Sequence, residues 1–413
     1  MTGYARSVAL AALAACAPLV APAAAEGAAP RFQELVDATP AGALLSPPPG
    51  VYAGPVEIRR PIRIDGRGEV VIDAGGRGSV VRILTDGASL RGLVLRGSGE
   101  NHDTLDAGVQ VRGDGNTIED SVIQDCLFGV DLQQSNRNAI RRNRIGSKPL
   151  AMGVKGDAIR LWYSFENEIV GNEISDVRDV VVWYSSDNVI AENSVSGSRY
   201  ALHFMYSKRN RVVSNRYSGN MVGIFLMYSD GVEIRGNHIT GSVGATGMGI
   251  GFKESSDVLV AGNAIVYCAR GVYLDISPYE PDTTNRFLSN RIAYNGVGVE
   301  FHSDWHGNVF RENDFDGNFT QVAVRGGGGA SDHLWEGNRW DDYSGFDRDG
   351  DGRGDTPYEL YAYADRIWMQ VPPAAFFRGS PLFEAIDFLD RLAPFTEPTM
   401  ILRDSAPRFA LAE

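Results

Sequence analysis

Short apolar runs of three to five residues recur along most of this chain, separated by polar corners. Within each run, apolar and polar positions alternate. Alternation of that kind reads as strand, because successive strand side chains point to opposite faces. An asparagine punctuates the runs in the phrase Asn-x-(apolar), at Asn143, Asn172, Asn193, Asn215, Asn237, Asn263, Asn290, Asn313 and Asn338. The steps between them are 29, 21, 22, 22, 26, 27, 23 and 25 residues. A second Asn often precedes by five residues, with its own apolar follower, as in Asn138/Ile140, Asn167/Ile169, Asn188/Ile190 and Asn308/Phe310. A period of about 20 to 30 residues marks a solenoid. No amphipathic helix fits between the strands, which excludes leucine-rich and helical repeats. The predicted fold is all-β: a right-handed, single-stranded parallel β-helix, with asparagines stacked as ladders at its corners. A short N-terminal cap and a C-terminal segment ending in a helix complete it.

Aligning the coils gives a wholly apolar column: Val111, Leu132, Leu161, Val182, Phe204, Leu226, Phe252, Leu274, Phe301. It faces inward, so the columns on either side of it are expected to face solvent. The column after it holds Trp162, Trp183, Met205 and Met227; the column before it holds His203 and Phe225. A contiguous apolar stripe on an outer face marks a binding surface or a covered one, and both readings stay open. Trp162, Trp183 and Phe225 are candidates for a partner face. Within the stripe, His203 and Met205 lie two residues apart, and Met227 is one coil above Met205. One imidazole and two thioethers form a soft set suited to Cu(I) held transiently. Met221 and Met248 flank the same coils. Tyr163, Tyr184, Tyr206 and Tyr228, each followed by Ser, stack at the next corner.

The ends read differently from the repeats. Residues 1–25 have a short charged start, an apolar stretch and Ala23-Ala24-Ala25 before Glu26, the features of a signal peptide and export. Leu13-Ala14-Ala15-Cys16 leaves a lipoprotein processing site as the rival reading. Residues 26–60 form a cap and opening coil, 61–340 the repeats, 341–360 an Asp/Gly-rich loop and 361–413 a C-terminal segment. In the loop, Asp347, Asp349, Asp351 and Asp355 occupy positions 1, 3, 5 and 9 of a calcium-type pattern, with Gly352 at 6. Tyr358 stands where that pattern has its bidentate Glu, and Glu359 comes one residue late. A structural Ca²⁺ site and a metal-free turn are the alternatives. Ser380-Pro381 then opens a helix whose apolar positions are Leu382, Phe383, Ile386, Leu389 and Leu392. It is either a cap over the last coil or a docking helix for a membrane partner.

Charge and cysteine content narrow the function. The chain has 39 Lys+Arg against 52 Asp+Glu, a formal charge of −13. Removing the signal segment takes away only Arg6. So acidic a protein is a poor partner for nucleic acid. Cys126 and Cys268 lie about six coils and therefore about 29 Å apart, beyond disulfide reach, and are expected as free inward thiols.

Three stretches carry a family resemblance: Arg199 to Ser207, Gly223 to Ser229, and Trp340 to Tyr358. Together they resemble the NosD family, accessory proteins of nitrous oxide reductase maturation, and the similarity runs over essentially the whole mature chain. The resemblance implies a periplasmic, copper-related β-helix that is not an enzyme. It also implies work with an ABC transporter (a membrane subunit and an ATPase), a periplasmic copper donor protein, and the nitrous oxide reductase apoprotein as acceptor. The choice of His203, Met205 and Met227 is geometric, not implied by the family. The rival class is a carbohydrate-active β-helix enzyme, a lyase, hydrolase or epimerase, which needs convergent acids and bases on one outer face. Asp131, Arg160, Lys253, Asp275 and Glu300 are outward, but the Trp/Met stripe divides them.

Overall fold

The computed structural model describes residues 29–409, apart from 304, 364, 378 and 394–397. The expected signal peptide and Cys16 lie outside the described residues. Strands of two to eleven residues wind into a parallel β-helix. One face is a twelve-stranded parallel sheet from Val56–Ile58 to Thr320–Val324. The other two faces join into one sheet because Arg63–Asp73 and Ser89–Arg96 run unbroken around a corner. The apolar column lies in the expected register: Phe204 pairs with Val182 below and Leu226 above, and the column continues to Val324. Every member is buried.

Corners turn the chain out of the sheet and leave backbone N–H groups to be satisfied. The asparagines do this. From Asn172 to Asn338 along the main ladder, each Oδ1 accepts the backbone N–H of the Asn one coil earlier, as in Asn172 to Asn193 at 2.9 Å and Asn193 to Asn215 at 2.9 Å. In the same ladder each Nδ2 returns a bond to a strand carbonyl, as from Asn193 to Ile169 at 2.9 Å. An amide suits the place because it carries donor and acceptor in one planar group. A serine ladder runs beside them, with Ser164 N–H to Ser185 Oγ at 2.9 Å and Ser207 N–H to Ser229 Oγ at 3.1 Å. The residue before each of these serines has φ near +50°: Tyr163, Tyr184, Tyr206 and Tyr228. That left-handed backbone costs about 1–2 kcal/mol per residue, offset by the ladder. The four tyrosine rings stack face to face at 5.0, 5.2 and 4.7 Å, as a corner should. Cys126 and Cys268 are buried free thiols, their pKa values pushed by burial up to about 12 and about 11.

Both ends are covered. At the start, α1 (Phe32–Ala38) buries Phe32 and Val36 against the first coil, and Phe32 meets Tyr52 edge-on at 5.3 Å. Arg60 closes the end of α1, donating to the carbonyls of Val36 (2.8 Å) and Thr39 (2.7 Å). At the far end the core becomes aromatic, with Phe310 on Trp335 and Phe315 on Trp340, both at 4.2 Å. Among the described residues, the last regular element of the C-terminal segment is a strand and not the expected helix. After α2 (Asp365–Gln370) and α3 (Pro381–Leu392), the strand Thr399–Asp404 pairs antiparallel with Tyr358–Ala362 and buries Ile401 and Leu402. Asp404 then supplies the last rung of the asparagine ladder. Its Oδ2 accepts from Asn338 N (2.9 Å), Asn338 Nδ2 (2.9 Å) and Trp340 Nε1 (3.2 Å). Pairing with Tyr358–Ala362 holds the segment extended and sets the Asp404 carboxylate at the open corner.

Ser380 does cap α3, accepting from Phe383 N at 3.3 Å. The helix's apolar positions divide, however. Phe383 is buried and Ile386 packs on the core, while Leu382, Leu389 and Leu392 stand in solvent at 73%, 52% and 67% exposure.

Candidate functional site

Outward residues of the twelve-stranded face form a grid. Register places Tyr200, His203 and Met205 on one coil, Val222, Phe225 and Met227 on the next, and Met248, Gly251 and Lys253 above them. One coil earlier stand Val181 and Trp183. Met205 and Met227 are directly paired and half-buried, as are Trp162 and Trp183. His203 departs from expectation: it points outward yet is only 7% exposed. The same correction holds for others in its column, including Asp131, Tyr273 and Glu300. The cause is the neighbours. Tyr200 stacks on the His203 ring at 4.8 Å, while Trp183 (6.0 Å) and Phe225 (6.2 Å) close its other sides.

Neither ring nitrogen of His203 has a hydrogen-bond partner, and Trp183 Nε1 also has none. Buried polar groups in that state are uncommon, since each costs about 1–3 kcal/mol unless something binds it. Burial pushes the His203 pKa down to about 4, so the imidazole is neutral and free to ligate at pH 7. The two half-buried thioethers on the same face are soft donors. Met248 reaches the same patch, because a Cβ on Gly251 would lie 3.2 Å from its sulfur and 2.4 Å from the Phe225 ring. Gly251 is thus a gap into which both side chains fold. Met221 sits at the edge, 46% exposed.

Ion pairs border the patch. Asp131 is held between Arg112 (2.7 Å) and Arg160 (2.9 Å), and the Arg160 guanidinium lies 5.0 Å over Trp162. Asp179 pairs with Arg199 and accepts from Tyr200 N at 3.0 Å. Asp157 pairs with Arg178 at 2.8 Å, yet burial raises its pKa to about 6. Sequence spacing missed Tyr200. A register shift between Asp179 and Val181 brings it against His203, and nothing in the repeat pattern announces that shift.

In the Asp-rich loop, three carboxylates converge: Asp347, Asp349 and Asp351 place oxygens within 4.8 Å of one another. Asp347 accepts from Gly350 N (2.7 Å) and Gly352 N (2.9 Å), and these bonds lower its pKa. Asp355 instead accepts from Arg348 N at 2.8 Å, outside that cluster. Tyr358 is buried, stacked on Trp340 at 4.4 Å, and Glu359 is engaged with Arg403. Neither completes the calcium pattern.

Among the described residues, no helix is long and apolar enough to cross a membrane. An apolar surface does project from the C-terminal segment, where Phe376, Phe377, Leu382, Phe388 and Leu392 are all exposed.

Among solved structures, the A-module of the Azotobacter vinelandii mannuronan C-5 epimerase AlgE6 matches with a TM-score of 0.57 at 18% identity. The match covers 71% of this chain and 90% of the module. At that identity the likeness is one of fold alone. A Pseudomonas aeruginosa protein named "Probable ABC transporter binding protein NosD" is 35% identical over 376 residues, 87% of this chain and 86% of its own. A Stutzerimonas stutzeri protein of the same name is 28% identical over 131 residues, 31% of this chain and 29% of its own. A family model described as "Periplasmic copper-binding protein (NosD)" matches residues 146–345. That stretch contains the whole His203 patch, and the Pseudomonas relative extends the match over most of both chains. The chain belongs to the NosD family of periplasmic copper-binding proteins.

Proposed function

We propose that this protein receives or relays Cu(I) in the periplasm during maturation of nitrous oxide reductase, through the outer face built from His203, Met205 and Met227. The observation that carries this reading is the neutral, buried imidazole with two unpartnered nitrogens beside two thioethers in register. Thioethers hold Cu(I) through soft donors and release it readily, which suits cargo. The aromatic wall of Trp162, Trp183 and Phe225 suits docking of the copper donor and then of the reductase apoprotein. Met221 and Met248 are positioned to hand the ion to or from the edge.

The names of the two relatives support work with an ABC transporter. The exposed apolar side of α3 and the neighbouring Phe376 and Phe377 are the surface we assign to the transporter's membrane subunit, with its ATPase beyond. The outward acids that a sugar-cleaving enzyme would use are already tied to arginines or lysine: Asp131, Asp275 and Glu300. This favours an accessory role over catalysis. We assign Asp347, Asp349 and Asp351 to a structural Ca²⁺ that steadies the loop next to the C-terminal cap.

The test replaces the donors without emptying their space: His203→Phe, Met205→Leu and Met227→Leu together. Cu(I) titration against a competing chelator should show affinity lower by more than about 100-fold, beyond the loss of supporting groups around a metal site. The melting temperature should change little, and copper loading of the reductase in cells should fall. Unchanged Cu(I) affinity with normal loading would remove this face from the copper route.

A further inference from the structure

Further along the same outer face, the grid turns from soft to charged. A cavity of about 460 Å³ opens there between Arg270, Val297, Glu300 and Arg325 of the solenoid and Trp368 and Met369 of α2. Its floor is a buried carboxylate, Glu300, 5% exposed. One Glu300 oxygen accepts from Arg270 Nε at 2.9 Å, the other from Arg325 Nε at 2.6 Å. Arg270 Nη1 donates to the Ala245 carbonyl at 3.1 Å. Among the described residues, Arg270 Nη2 and both terminal nitrogens of Arg325 make no hydrogen bond. Both guanidiniums lie within 6 Å of the Tyr273 ring (5.9 and 5.8 Å), whose hydroxyl is engaged with His302 Nδ1 at 2.8 Å. Tyr273 therefore supports the arginines from below and does not compete for the cavity.

Two guanidiniums and one carboxylate leave one uncompensated positive charge and three unused donor nitrogens facing a partly enclosed space. The planar fork of Arg suits a carboxylate bidentately. The volume falls in the range of small-molecule sites, about 300–1,000 Å³. Val297, Trp368 and Met369 offer an apolar wall for the body of a ligand. We infer that this cavity binds an organic monocarboxylate of metabolite size, its carboxylate on Arg270 and Arg325 and its body under α2. A single negative charge neutralises the site; a phosphate dianion would place excess negative charge beside Glu300 and is disfavoured. This site is separate from the soft patch, and its ligand does not depend on copper.

The test is calorimetric titration of the full mature chain with benzoate, glucuronate and inorganic phosphate in turn. At least one of the two carboxylates should bind saturably, and phosphate should bind at least about tenfold more weakly, a difference of about 1.4 kcal/mol. Arg325→Gln removes one of the two donors to the buried Glu300, so it should lower the melting temperature while circular dichroism stays native, and it should weaken carboxylate binding at least about tenfold. Glu300→Gln raises the site charge and should strengthen it. No saturable carboxylate binding up to about 10 mM, well above a Kd of 1 mM at about −4.1 kcal/mol, would overturn the inference. So would phosphate binding as tightly as carboxylate, or Arg325→Gln binding as the wild type does.

Discussion

Asp404→Ala should detach the C-terminal end of the solenoid. The carboxylate is fully buried and receives Gly337 N (3.1 Å), Asn338 N and Nδ2 (2.9 Å each) and Trp340 Nε1 (3.2 Å). A buried donor left without an acceptor costs about 1–3 kcal/mol. Four such donors put the loss at about 4 kcal/mol even at the low end of that range. Stability of stacked repeats is set by nearest neighbours, so the loss should concentrate in the last coils and the cap. Hydrogen exchange should show protection vanishing around Asn338 to Trp340 and in Thr399–Asp404, while the coils around Asn193 stay protected. Asp404→Asn separates the ladder from the charge. An amide can keep the three bonds now made to Oδ2, but its NH₂ replaces Oδ1, which accepts from Gly337 N and Ala406 N (3.2 Å). Its cost should fall between those of Ala and wild type. If Asp404→Ala unfolds in urea at the wild-type midpoint with unchanged exchange at Asn338, Asp404 is not the terminal rung.

His333 takes the next rung after Asn308 in the second ladder, accepting from its backbone N–H at 3.3 Å and stacking on Phe301 at 4.3 Å. Burial, aided by His306, lowers its pKa to about 3. The unfolded chain takes up this proton near pH 6.5 and the folded chain does not, so stability is lost as pH falls from about 6.5 towards 3. At pH 4.5 the share is about 3 kcal/mol; His333→Asn should keep the ladder and lose that share of the pH dependence, and an identical pH profile would exclude the mechanism. Tyr217 buries its hydroxyl with no partner. Tyr217→Phe should be neutral or stabilising by up to about 1–3 kcal/mol in chemical denaturation, and clear destabilisation would reveal a partner for that hydroxyl. The converging Asp347, Asp349 and Asp351 carboxylates repel one another without a cation. Ca²⁺ should therefore raise the melting temperature, and Asp349→Ala should abolish the shift; a wild type indifferent to Ca²⁺ and EDTA leaves a plain turn.

The register was legible because one inward column, spaced by whole coils, allows no slip: moving Phe204 by one residue would expose it and bury Met205. The asparagine ladders were legible for the same reason, since a corner recurs in every coil. Outward burial was not. Alternation says that His203 leaves the core, but not that Tyr200, Trp183 and Phe225 from three different coils close over it. The C-terminal rung was equally hidden. Asp404 lies 66 residues from Asn338 and belongs to no repeat. Aspartate spacing likewise could not say that Asp355 would turn to Arg348 N, because that depends on the local path of the backbone.

The unbroken ladders have a mechanical consequence. Five coil steps separate the Phe204 coil, with its soft donors, from the last coil at Val324. At about 4.8 Å per step this is a standoff of about 24 Å. Each step is bonded through strands and corner rungs alike, so the distance behaves as a fixed arm. A protein gripping the helical end and another reaching the copper face would be served by one stiff spacer without touching. Excising a single coil between the two, such as the 27-residue step from Asn263 to Asn290, would shorten the reach by about one strand spacing and leave His203, Met205 and Met227 in place.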